Sequence, residues 1–120
     1  NKVLVNAQAV QAALVARLKS TAAAEKAAGD GFRKSGDLAA AAKSYMAALE
    51  ATPDLAGVDR ALKEISEEVS VRIRIFYQEG LRLKELNEHE KARERFTKVL
   101  NATWPGHEYH RKAKELLATL

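Results

Sequence analysis

The chain is predicted to be all-α, and three features of its composition say so. Apolar residues make up 47% of its 120 positions, but 23 of them are Ala, a residue that suits helices and leaves little bulk for a sheet. Two Pro and six Gly are too few for an all-β chain, which needs a turn about every 8–12 residues. Apolar residues recur at three- and four-residue steps through most of the sequence. Charge is balanced, with 20 Lys and Arg against 16 Asp and Glu, so the chain lacks the one-sided charge of a disordered segment.

Five helices are expected, the first and third of them long. Residues 3 to about 34 carry Val3, Ala7, Val10, Leu14 and Leu18 on one stripe, followed by an Ala-rich stretch. Ser35-Gly36-Asp37 reads as a stop and a start: Gly36 suits the left-handed residue after a helix, and Asp37 suits the cap of the next. Leu38 to Ala51 forms the second helix, ended by Thr52-Pro53-Asp54. Asp54 is expected to open the third, Leu55 to Leu86, whose seam runs Leu55, Val58, Leu62, Ile65, Val69, Ile73, Phe76, Gly80, Leu83. That is a rod on the order of 45 Å. Asn87 with Glu90 three positions later reads as a capping box for a fourth helix carrying Ala92, Phe96, Val99 and Leu100. Trp104-Pro105-Gly106 breaks it, and Glu108 to Leu120 forms the fifth, with Tyr109, Ala113, Leu116 and Leu117 inward. Short connections imply antiparallel neighbours.

Two stretches match when aligned on their turns. Gly29, Phe32, Gly36, Asp37, Ala41, Tyr45, Ala48 and Pro53 mark the first; Gly80, Leu83, Asn87, Ala92, Phe96 and Val99 mark the second. On these residues the sequence resembles the tetratricopeptide repeat, a helix–turn–helix unit of about 34 residues. The resemblance implies one domain over 1–120: an N-terminal helical extension 1–21, repeats 22–55 and 73–106, a helical insertion 56–72 between them, and a capping helix 107–120. Ala28 and Glu79 stand where the family usually has Leu. The lead-in Trp104-Pro105-Gly106-His107-Glu108-Tyr109 is similar to bacterial cell-envelope modules of this family.

Function then follows as expectation. In the family the first helix of each repeat lines a groove that holds a peptide or partner helix. The resemblance places Lys26, Asp30 and Arg33 of the first repeat there, and Arg74, Tyr77, Leu81 and Lys84 of the second. That basic, part-aromatic set suits an acidic or amphipathic segment of another protein. The family's carboxylate clamp pairs Lys with Asn four residues on; here Lys26 is followed by Asp30, so that clamp is not expected. The alternative reading is an assembly module, a homo-oligomer formed through Val3, Val10, Leu14 and Leu18 and the long third helix.

Other classes have little to stand on. No Cys is present, so there is no disulfide, thiol chemistry or Cys-ligated zinc. His89, His107 and His110 are expected at the surface, and no four-ligand metal site is spaced among them. Neither an enzyme nor a cofactor is expected. A net charge of +4 is modest for a nucleic-acid binder. No apolar run approaches the ~18 residues of a membrane span. Beginning on Asn1, the sequence is expected to be a piece of a longer bacterial chain, and either the cytoplasm or the periplasm fits it.

Overall fold

The computed structural model describes residues 2–120, with side chains from residue 6 onward. Among these residues all regular structure is helical: α1 (Lys2–Ser35), α2 (Leu38–Ala51), α3 (Val58–Glu85), α4 (His89–Ala102) and α5 (Glu108–Thr119). The chain divides into two compact units, Asn1–Leu62 and Lys63–Leu120.

In the first unit α2 folds back along α1. The turn is built as the sequence anticipates. Gly36, at φ +90°, takes the left-handed position after α1, where a side chain would be strained. The Asp37 N–H donates to the Phe32 carbonyl (2.9 Å) and the Gly36 N–H to that of Arg33 (3.1 Å), the two bonds of a Schellman closure. The Asp37 carboxylate then accepts from the Ala40 N–H (3.2 Å), capping α2. Ala22, Leu38, Ala41, Ala42, Tyr45, Ala48 and Val58 are buried. So many Ala let the helix axes approach closely, and Tyr45 fills what remains. Its ring lies over Gly29: a Cβ added there would sit 2.7 Å from Cε1.

The start of α3 departs from expectation. The helix begins at Val58, not Leu55, and Asp54 opens nothing. Gly57 stands at φ +82°, outside helical space, so no residue before it can join the ladder. Residues 52–57 form a turn instead, with the Leu55 N–H on the Thr52 carbonyl (3.1 Å), and the Ala61 N–H bonds back to Gly57 (3.0 Å).

The second unit repeats the same construction 51 residues later. Asn87, at φ 59°, takes the place of Gly36. The Glu88 N–H donates to the Leu83 carbonyl (2.9 Å) and the Asn87 N–H to that of Lys84 (3.0 Å). Phe96 takes the place of Tyr45, over Gly80, where an added Cβ would lie 2.5 Å from Cε1. The expected capping box is absent. Glu88 is the cap residue of α4 and its side chain makes no capping bond. Asn87 is committed to ending α3 in the left-handed conformation that Asn tolerates, so it is not the residue that starts α4. Ile65, Val69, Ile73, Ala92, Phe96, Val99, Trp104 and Ala113 are buried.

No helix among the described residues is long and apolar enough to cross a membrane.

Candidate partner-binding groove

The positions expected to face a partner fare differently in the two units. In the first, Lys26 is half-buried and Asp30 is exposed, but the Asp30 carboxylate is engaged within the unit. The Tyr45 phenol, fully buried, donates to Asp30 Oδ1 at 2.5 Å. Burial and then the Asp30 carboxylate push the Tyr45 phenol up to about 12, while the Arg33 guanidinium nearby pulls the other way. Asp30 and Arg33 thus converge on one buried hydroxyl that links α1 to α2.

In the second unit Tyr77, Leu81 and Lys84 follow one another at steps of four and three on one face of α3. Leu81 is half-buried, and Arg74, one turn earlier, is exposed. Tyr77 and Lys84 line a groove of about 370 Å³ whose other wall is α5: Arg111, Lys112, Glu115, Leu116 and Thr119. Sequence reading placed α5 as a cap and so missed its contribution. The signal was present in Arg111-Lys112, two adjacent cations on a short helix, with Lys112 four residues before Leu116.

Aromatic rings hold that wall in place. Tyr77 packs against Phe96 (centroids 6.0 Å) and edge-on to Tyr109 (5.1 Å); Tyr109 stacks on His107 (6.0 Å), and His107 meets Trp104 edge-on (4.9 Å). The series ties α3, α4 and the start of α5 together. Trp104 lies buried at the α4–α5 turn.

The groove is lined by more cations than carboxylates. Lys84, Arg111 and Lys112 face it against the one carboxylate of Glu115. Lys112 lies 2.8 Å from Glu108 and 5.5 Å above the Tyr109 ring. That contact holds the Glu108 carboxyl below the ordinary carboxylate range and raises the Lys112 ammonium. Arg111 sits 3.5 Å from Glu115 with both side chains two-thirds exposed, a pairing of little strength.

His107 is a correction to the surface assignment: it is 3% exposed. Its Nδ1 accepts the Tyr109 N–H (3.1 Å), capping α5, which puts the ring proton on Nε2. Nε2 faces Ser70 Oγ (3.1 Å) and the Ser66 carbonyl (3.3 Å), both on α3. Ser70 donates its own hydrogen to the Ser66 carbonyl (2.8 Å), so it accepts from His107. A nucleophilic Ser–His pair needs the opposite wiring, with His taking the serine proton. The pair is a buried brace, and its burial follows from contacts 37 and 41 residues away that local pattern does not reveal. His110 Nδ1 meets Thr103 Oγ1 (3.0 Å), while His89 is exposed. Among the described residues no three His, Cys, Asp or Glu side chains are grouped to hold a metal ion.

Against known proteins, no family model matches the chain, nor does any curated sequence or solved structure.

Proposed function

We propose that the chain is a protein-interaction module of tetratricopeptide type whose groove between α3 and α5 receives an acidic segment of another protein. The helical-repeat part of this reading is supported by the common construction of the two units: glycine under an aromatic ring, and a Schellman closure after the first helix, both recurring 51 residues on. The binding part is carried by one observation, the grouping of Lys84, Arg111 and Lys112 around Tyr77 in a groove. Cations on a preformed wall attract a carboxylate-rich chain, and Tyr77 with Leu116 offers apolar surface to residues between the acids.

The test uses fluorescence anisotropy with a labelled 12-residue peptide of alternating Glu and Leu blocks. The full chain should bind it, and a Lys-for-Glu version of the peptide should not bind. Lys84→Glu with Arg111→Glu, both outside the buried core, should weaken binding by roughly tenfold or more and flatten its dependence on salt. Equal affinity for the acidic and basic peptides, or an unchanged affinity in the double variant, overturns the reading.

A further inference from the structure

We propose that α1 pairs through its exposed apolar stripe with α1 of a second copy of the chain, in antiparallel orientation. Only the later part of α1 has a neighbour in its own unit. Ala22 and Gly29 are buried under α2, which has 14 residues, whereas every described residue from 6 to 21 is exposed. Along that bare length Ala7, Val10, Leu14 and Leu18 recur at steps of three, four and four; Val10 is 69% exposed, Leu14 52% and Leu18 40%. Val3, expected to extend the stripe, has its side chain outside the described residues. Buried Ala22 shows the same helix meeting a partner where one is supplied.

Charge selects the occupant. From Val3 to Ala16 the sequence holds no charged residue; Arg17 and Lys19 come first. A charged partner segment finds nothing on this face to read, while an identical stripe meets no repulsion. Orientation follows from the same residues. Parallel pairing would set Arg17 beside Arg17 and Lys19 beside Lys19. Antiparallel pairing sets them against the uncharged end near Asn6 and Ala7, with Val10 facing Leu14 of the other copy and Ala7 facing its Leu18.

Size sets the strength. Sixteen residues span about 24 Å on a cylinder about 10 Å across, on the order of 240 Å² in projection. Stable complexes use roughly 800 Å² per partner. An interface this small is weak, so the association shows itself only at high concentration.

Sedimentation equilibrium of the 120-residue chain from about 10 µM to about 1 mM tests it. The average mass should climb from 13.2 kDa toward twice that value. Val10→Glu with Leu14→Glu should hold the monomer mass throughout with an unchanged helical circular dichroism spectrum, since both side chains are exposed. A wild-type monomer at the highest concentration leaves the stripe to some other occupant and overturns the proposal; so does undiminished association of the double variant, or a mass beyond the dimer. The chain has no Cys, so introduced ones report alone. Ala7→Cys mixed with Leu18→Cys should give the mixed disulfide dimer faster than Leu18→Cys links to itself; the reverse order overturns the antiparallel arrangement.

Discussion

The two units solve one packing problem with different chemistry. Tyr45 over Gly29 and Phe96 over Gly80 are the same contact, 51 residues apart, yet the first ring carries a hydroxyl and the second does not. The position that holds the hydroxyl in the first unit is Asp30; its counterpart in the second is Leu81. Ring and partner have changed together. A buried phenol without an acceptor is costly, so a Tyr requires the carboxylate, and a Phe releases the position to an apolar residue. The shape of the site is common to both, and its polarity is decided by one matched pair.

The largest effect expected from this comparison is at the glycines. Gly80→Ala places a Cβ 2.5 Å from a fully buried Phe96 ring, and Gly29→Ala places one 2.7 Å from Tyr45. Neither ring is a flexible tip that can swing aside. Overpacking of this kind costs about 1–3 kcal/mol or more, against a gain of about 1 kcal/mol from replacing a helical Gly by Ala. Gly31 lies in the same helix with nothing within 4 Å of its added Cβ. Gly31→Ala should therefore stabilise by about 1 kcal/mol. Chemical denaturation of the three variants should show opposite signs for one and the same substitution; a Gly80→Ala protein as stable as wild type would remove the shared contact as the organising feature.

The local parts of this architecture were legible in the sequence, and the distant ones were not. Gly36, Asp37 and the apolar stripes announce a stop, a cap and buried faces because those roles depend on neighbours within a few residues. Asn87 was misread because Asn serves both as a left-handed terminator and as a cap, and the choice between them is made by where α3 ends. Leu55 was read as helical because Gly57 has no side chain to disturb the periodicity, although its φ breaks the ladder. Burial of His107 depends on Ser66 and Ser70, and the second wall of the groove depends on where α5 is laid down; neither is written in local spacing. On the groove face Tyr77 and Lys84 were placed by the family resemblance, whereas Arg111 and Lys112 sit on a helix assigned to covering the core.

The matched pair makes a prediction about pH. In the folded chain the Tyr45 phenol keeps its proton up to about 12, whereas in the unfolded chain it ionises near the ordinary tyrosine value of 10.0. Between these values the native state binds the extra proton, so stability falls as pH rises from about 10 to about 12 and is fully present below. A shift of this size corresponds to about 2–3 kcal/mol. The measurement is the difference between wild type and Tyr45→Phe, followed by denaturation across that window. The wild type should lose stability faster, and Phe96, lacking a hydroxyl, adds no such slope. Parallel curves for the two proteins would show that the hydroxyl is not held by burial and Asp30. Importing the second unit's solution whole, Asp30→Leu with Tyr45→Phe, should be more stable than Asp30→Leu alone, which strands the phenol.

The smallest effect separates the two turns. Both helix ends close identically, but Asp37 caps α2 with its carboxylate, while Glu88, in the same place, leaves the first amides of α4 without a side-chain acceptor. Glu is one methylene longer than Asp, which carries its oxygens past the amides an N-cap must reach. Asp37→Ala should cost about 1 kcal/mol, and Glu88→Ala next to nothing beyond its 3.7 Å surface contact with Lys91. Glu88→Asp should stabilise by about 0.5–1 kcal/mol, because it gives the second unit the cap that the first already has. Thermal denaturation of the three variants orders them directly. If Glu88→Ala were as damaging as Asp37→Ala, the Glu88 side chain would be satisfying those amides after all, and the two turns would differ in sequence only.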